Sequence, residues 1–270
     1  MPDLKVSVFQ ICSNDSFEDS SKKILERLKV HDLKSVDLCV FPENSLYINI
    51  DKEAKTPEIS FDHAFFAETK KLAKENDVVL HLGTIPVYRS GKLYNSSLVI
   101  NEKGELSEAY DKIHLFAAEL GSSVSVDEGI NYSAGSKPQV IKVKDWTVGL
   151  SICFDLRFPE LYLEYAKQGC ELMLVPSAFF RKTGEAHWET LLKARAIESQ
   201  CYVVAPGQVG THKSTESEAI RKSYGHSLFV HPWGNLIEDM GGEGEKVSTH
   251  TLKKEEIRKF KSSVKMKRKL

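Results

Sequence analysis

Three stretches of this chain end an apolar run on a side chain able to do chemistry. "VDLCVFPEN" closes on Glu43, "LSEAYDKIHLF" sets Lys112 among apolar and aromatic neighbours, and "GLSICFDLRFPELY" carries Cys153 where a strand pattern gives way to a helix pattern. Singly, each also has a structural reading: Cys153 as a small core hydrophobe, Glu43 as the partner of a nearby base, Lys112 as a surface lysine at a strand end. Cys12, Cys39, Cys170 and Cys201 keep the core reading. Burying a carboxylate or an ammonium alone is costly, so such groups usually face each other or a site. Together the three form a complete set for acyl transfer. A carboxylate can take the thiol proton, an ammonium can stabilise a developing oxyanion, and a thiolate can attack a carbonyl or nitrile carbon to give a thioester or its analogue.

What must hold these residues is a set of strand ends. Apolar runs of strand length recur at 5–11, 36–43, 77–88, 94–100, 147–153, 172–179, 201–210 and 226–234, most of them rich in β-branched residues and stopped by Gly, Pro or Ser. Helix patterns lie between several of them: "SFEDSSKKILERLKVHDL", "SFDHAFFAETKKLAKEN" and "HWETLLKARAIESQ". This alternation predicts an α/β fold with buried central strands. Gly-containing turns around Glu102–Gly104 and Pro232–Asn235 predict two hairpins, and so some antiparallel pairing. In such folds reactive groups gather at the carboxyl ends of strands, where a nucleophile on a tight strand-to-helix turn is exposed beside free helix N–H groups. A helix N-terminus after Cys153 would also favour its thiolate.

In this order and at these separations, "FPEN", "YDKIHLF" and "GLSICFDLRFPELY" resemble the Glu, Lys and Cys motifs of the nitrilase, or carbon–nitrogen hydrolase, superfamily. The resemblance runs from "KVSVFQ" to "EEIRKF". It implies a four-layer α-β-β-α sandwich with two central mixed sheets, usually dimerising through helical faces, with Glu43 as general base, Lys112 as oxyanion stabiliser and Cys153 as nucleophile. A second glutamate after the Lys motif corresponds to Glu128 in "VDEGINYSAGSKP", where it would orient Lys112 or the incoming water; a solvent-exposed loop acid is its other reading. The implied oxyanion hole pairs the lysine with the backbone N–H of Phe154, and Asp155, Arg157 and Glu160 are expected to form a supporting salt-bridge shell.

The later segments "TGEAHWE", "ARAIESQCYV" and "YGHSL" resemble the branch of deaminated-glutathione amidases and ω-amidases, the last two being closer to the former. The implied reaction is hydrolysis of a small carboxylated amide, deaminated glutathione to 2-oxoglutarate and Cys-Gly. The alternative is an ω-amidase acting on α-ketoglutaramate, or another small-amide hydrolase. A carboxylated substrate calls for a cation. Arg181 beside "PSAFF" is the expected one and reads equally as a surface arginine, while His187 is expected to line the pocket or to make structural hydrogen bonds. Ala117, Gly129 and Pro206 depart from the branch's usual residues. They loosen the substrate assignment and leave the three motifs intact.

Other readings meet specific obstacles. A papain-like pairing of Cys153 could draw on His114, His187 or His226, but the residues that surround a papain-like cysteine are absent. No two His or Cys residues fall at zinc-ligand spacing. A catalytically silent binding subunit would be expected to have lost Glu43, Lys112 or Cys153, and all three stand. With 270 residues, 41% of them hydrophobic, the chain can bury a large core, and one carbon–nitrogen hydrolase domain over 1–270 with a basic tail at 253–270 is expected. A formal net charge of −1 gives no general attraction to nucleic acid or an anionic membrane. No stretch approaches the ~18 apolar residues of a spanning helix. Five cysteines without a CxxC pair fit a reducing compartment. The expectation is a cytoplasmic, homodimeric enzyme whose partners are a small-molecule amide and water, with no cofactor, metal, nucleic acid or membrane.

Overall fold

The computed structural model describes residues 2–51, 54–119 and 125–266. Its first half runs β1 (Leu4–Gln10), α1 (Phe17–Val30), β2 (Leu38–Val40), α2 (Ala64–Asn76), β3 (Val79–Arg89), β4 (Lys92–Ile100) and β5 (Leu106–Asp111). A short ribbon of β6 (Ala117–Glu119) and β7 (Ser125–Asp127) follows. The second half contains β8 (Val140–Val143), β9 (Trp146–Leu150), α3 (Pro159–Lys167), β10 (Leu172–Leu174), α4 (Arg181–Ser199) and β11 (Tyr202–Ala205). It closes with β12 (Val209–Lys213), β13 (Ile220–Tyr224), β14 (Leu228–Val230), β15 (Leu236–Asp239), β16 (Lys246–Leu252) and α5 (Lys254–Ser263).

The strands form two six-stranded sheets, ordered β16-β1-β2-β3-β4-β5 and β15-β14-β11-β10-β9-β8. Each is built on the same plan. Three parallel strands joined by helices form one part, β1-β2-β3 in one sheet and β9-β10-β11 in the other, and antiparallel strands complete both sides. The sheets pack face to face through Val6, Val8, Leu38 and Val40 against Val148, Leu150, Leu172 and Val204. Ile24 and Leu28 of α1 and Phe65 and Phe66 of α2 cover the outer face of the first sheet. Leu161 and Tyr165 of α3 with Trp188 and Leu192 of α4 cover the second. The result is the expected α/β arrangement of four layers, α-β-β-α, each buried large apolar side chain contributing roughly 1.5–3 kcal/mol.

Prolines cut three of the apolar runs shorter than their composition suggests. Pro42, Pro176 and Pro206 lack the N–H that a ladder needs, so β2 stops at Val40, β10 at Leu174, and the run 201–210 splits into β11 and β12. The two expected hairpins are present as β4–β5 and β14–β15. Besides the β6–β7 ribbon, antiparallel pairs β3–β4, β8–β9 and β12–β13 are present that the turn signals do not announce. β12–β13 belongs to neither large sheet.

The basic C-terminal segment begins as a packed helix. Its first part is α5, which buries Ile257 and Phe260, and Lys254 is buried with its Nζ 3.1 Å from both Asp145 and Glu171. Residues 267–270 lie outside the described residues.

Candidate active site

Glu43 is presented by a turn fixed onto β3. The Phe41 N–H still donates to the His81 carbonyl at 2.9 Å, and beyond Pro42 the chain turns through Asn44, at φ 58°. The Asn44 N–H donates to Thr84 Oγ1 at 3.0 Å, and the Ser45 hydroxyl donates to the Leu82 carbonyl. This close approach requires Gly83 in the β3 bulge. It sits at φ +68°, and a Cβ there would lie 1.8 Å from the Pro42 carbonyl oxygen.

The carboxylate of Glu43, 2% exposed, accepts from three directions. Lys112 Nζ donates to Oε1 at 2.8 Å, Asn95 Nδ2 to Oε1 at 3.0 Å, and the Ala178 N–H to Oε2 at 2.9 Å. Asn95 begins an "NSS" triplet but is buried in this contact. Burial alone would raise the Glu43 pKa. The Lys112 ammonium, together with hydrogen bonds from Lys112 and the Cys153 thiol, outweighs it and holds the carboxyl below its ordinary range.

Lys112 follows β5 and is 1% exposed. Besides Glu43 it meets Glu128, with Oε2 at 2.8 Å and Oε1 at 3.0 Å. Glu128 is itself anchored on Phe116: its Oε2 accepts the Phe116 N–H at 2.8 Å, and its own N–H donates to the Phe116 carbonyl at 2.8 Å. Burial works against the Lys112 charge, and the two flanking carboxylates more than compensate, pushing its pKa well up.

Cys153 follows β9 with its N–H on the Pro176 carbonyl at 2.9 Å and takes φ +48°, a left-handed conformation that a side chain other than glycine's adopts at a cost. The expected helix does not start there. Cys153–Arg157 form a single 3-10 stretch, and α3 begins only at Pro159. The reason is local: Phe158 precedes a proline and is pushed to extended backbone, and Pro159 then opens the helix as proline does best. The expected thiolate is accordingly not the resting form. Burial pushes the Cys153 thiol well above its ordinary pKa, and the Glu43 charge adds to this against the opposing pull of Lys112. These shifts favour a thiol at Cys153, a carboxylate at Glu43 and an ammonium at Lys112, with the carboxylate placed where it could take a proton from the thiol.

A pocket opens over this set, lined by Glu43, Glu128 and Cys153 on its polar side and by Phe116, Phe154, Phe179 and Phe180 on its aromatic side. Phe154 is the second residue of the 3-10 stretch, and N–H groups in a first turn have no acceptor within the helix. Two cations border the pocket, Arg157 and Arg221. Neither makes an ion pair among the described residues. Arg157 does not join Asp155 and Glu160 in a salt-bridge shell as anticipated. It stands over the Phe154 and Phe179 rings and donates to His187 Nδ1 at 3.2 Å, Asp155 turns to Tyr110 and His114, and Glu160 is exposed.

Arg181 is elsewhere. The helix expected from "HWETLLKARAIESQ" starts earlier, so Arg181 occupies its first position, 74% exposed and paired with Glu185. His187 touches the pocket only through Arg157. His114 and His226 are engaged by Asp155 and Asp239, and among the described residues no histidine lines the pocket. Ala117, Gly129 and Pro206 do not line it either. Arg221 was missed by sequence reasoning. The only trace of it is a basic residue alternating with Ser223 in "IRKSY", too short a pattern to mark a strand.

The model of the carbon–nitrogen hydrolase family matches residues 5–262. A deaminated glutathione amidase of Dictyostelium discoideum is 35% identical over 246 residues, covering 87% of this chain and 83% of that protein. One of Yersinia enterocolitica is 34% identical, covering 88% and 82%. Among solved structures, Saccharomyces cerevisiae Nit3, a member of branch 10 of the nitrilase superfamily, superposes with a TM-score of 0.78 at 28% identity, covering 99% of this chain and 96% of its own.

Proposed function

Because the chain belongs to the carbon–nitrogen hydrolase family, we propose that it hydrolyses deaminated glutathione to 2-oxoglutarate and Cys-Gly through a thioester on Cys153. The observation that carries this reading is the closed set of Glu43, Lys112 and Cys153 under a pocket that also holds two guanidinium groups without carboxylate partners among the described residues. A site of that charge suits an anionic amide.

In acylation Cys153 Sγ attacks the amide carbon as its proton passes to Glu43. The oxyanion is stabilised by Lys112 Nζ and the Phe154 N–H. The tetrahedral intermediate collapses as Glu43 gives the proton to the departing nitrogen, breaking the C–N bond and leaving the thioester. Water then loses a proton to Glu43 and attacks the thioester carbon, and the S–C bond breaks with the proton returning to sulfur. Glu128 keeps Lys112 charged and aimed. Arg157, adjoining the turn of Cys153, takes the carboxylate of the acyl half, and His187 positions Arg157.

Turnover of deaminated glutathione by the purified protein, with an acyl adduct visible by intact mass, is the expected result. Cys153→Ala should show neither, and normal turnover by that variant would remove the mechanism. A kcat/KM for α-ketoglutaramate more than about tenfold higher, about 1.4 kcal/mol in the transition state, would reverse the substrate assignment.

The reading includes one catalytic domain and a cytoplasmic working place, which four free thiols at Cys12, Cys39, Cys153 and Cys170 suit. It also includes a homodimer. Trp233, 56% exposed against Phe260, and Ile197, 40% exposed beside Gly234, give an apolar surface at the ends of α4 and α5 fit to meet a second copy. Light scattering should give a dimer mass, reduced to a monomer by Trp233→Lys with Ile197→Asp; a monomeric parent protein would overturn this part.

A further inference from the structure

We infer that Arg221 reads the leaving group: it takes a carboxylate carried by the departing amine, so that the site selects amides whose amine half ends in its own acid. The inference rests on the amidase reading above and deepens it.

The direction of the reaction assigns the sides of the pocket. The amide carbon must meet Cys153, and the amide nitrogen must receive its proton from Glu43. The amine half therefore extends along the Glu43 wall. Arg221 stands on that wall. Glu43 Oε2 accepts the Ala178 N–H at 2.9 Å, and the carbonyl of the same Ala178 accepts Arg221 Nη2 at 3.0 Å. Arg157 stands on the other side, four residues beyond Cys153 in the chain. The electrostatics divide in the same way: Arg221 is felt at Glu43, and Arg157 is coupled to Cys153.

The Arg221 guanidinium also has donors to spare. A guanidinium offers five N–H groups in a fixed fork. Here Nη2 is used on Ala178, the cation lies 4.9 Å from the centre of the Phe180 ring, and Nε is buried without a hydrogen-bond partner. A second carboxylate in the pocket would satisfy it, as Arg157 satisfies the first.

Arg221 is held firmly enough to discriminate. It lies on β13, in the β12–β13 ribbon. At the ribbon's tip Asp15 accepts from Ser214 Oγ at 2.6 Å, from the Thr215 N–H at 2.8 Å and from Thr215 Oγ1 at 2.9 Å. Nearer its base, His212 bridges Ser13 and Ser223.

The test compares kcat/KM for deaminated glutathione with kcat/KM for α-ketoglutaramate, which shares the acyl half but releases only ammonia, in the parent protein and in Arg221→Gln. The ratio of the two constants should fall at least tenfold in the variant, and Arg221→Lys should recover part of it. The parent protein should also prefer deaminated glutathione over its C-terminal carboxamide, a preference lost in Arg221→Gln. A ratio that stays within threefold would overturn the inference and leave the amidase reading standing. Absence of turnover of either substrate by the parent protein would overturn the reading and the inference with it.

Discussion

Asp155 is bonded twice to His114: its Oδ1 accepts the His114 backbone N–H at 2.9 Å and lies 2.7 Å from the ring Nδ1. Asp155 stands two places after Cys153, and His114 stands two places after Lys112. The other oxygen, Oδ2, accepts the Tyr110 hydroxyl at 2.7 Å and the Ile152 N–H at 2.9 Å. One fully buried carboxylate thus ties the turn that carries the thiol to the segment that carries the ammonium, although they come from different sheets.

Removing that tie should cost the fold as well as the site. Asp155→Ala leaves several buried donors without an acceptor, a loss of about 3–5 kcal/mol. Tyr110→Phe, which removes a single donor, should cost about 1 kcal/mol. Urea unfolding of both variants checks this, and an Asp155→Ala midpoint equal to that of the parent protein would contradict it.

The acid limb of activity should lie low. Glu43 acts as a base only when ionised, and its carboxyl is held below the ordinary range, burial being outweighed by Lys112 and by hydrogen bonds. The profile of kcat/KM should therefore stay level as pH falls towards the ordinary glutamate value of about 4.3 and decline only below it. Asn95→Ala removes a donor to the charged form, so it should move the acid limb to higher pH. An unmoved limb would show that Asn95 does not tune the base.

Cys153 should make stability fall in alkali. In the unfolded chain its thiol ionises near pH ~8.5, whereas in the folded protein burial, with the Glu43 charge, pushes the pKa well up. Above the unfolded value the native state holds a proton that the unfolded state has lost. The stability difference between the parent protein and Cys153→Ala should then shrink by about 1.4 kcal/mol per pH unit in the alkaline range. Urea midpoints at pH 8, 9 and 10, at roughly one-unit spacing chosen to bracket that value, measure it; a constant difference would mean that the thiol titrates normally.

Gly83→Ala should damage catalysis through the Glu43 turn. The new methyl would meet the Pro42 carbonyl and hold φ at an unfavourable positive value. A cost of at least about 2 kcal/mol is expected, together with a fall in kcat larger than any rise in KM, because the displaced group is the base. Retention of both parent stability and parent kcat would show that the turn can yield.

The chemistry was legible in the sequence because a charge after an unbroken apolar run is conspicuous. Glu43 and Lys112 are found together beside Cys153, as charges and a thiol at the ends of apolar runs suggested, and Glu128, which only the family resemblance singled out, stands with them. The way Cys153 is presented was not legible: "CFDLRFPELY" has helical spacing throughout, and only the Phe158–Pro159 step divides it. The cations were harder still. Arg181 looked correct beside a strand end, but the helix begins on it and turns it to solvent. Arg157 looked like a partner for Asp155, which long-range contacts with Tyr110 and His114 had already taken. Arg221 reaches the pocket through a hairpin whose pairing no local pattern announces.

That hairpin has a consequence for how the molecule can vary. The thiol, carboxylate and ammonium are rooted at strand ends of the two large sheets, where any displacement disturbs a packed core. The β12–β13 ribbon carries a single pocket residue and joins neither sheet. A change at its tip acts first on Arg221, which the contacts with Asp15 hold. If Arg221 sorts amides as inferred, chemistry and sorting sit on separate parts of the fold, and a change of substrate needs only a change in one hairpin.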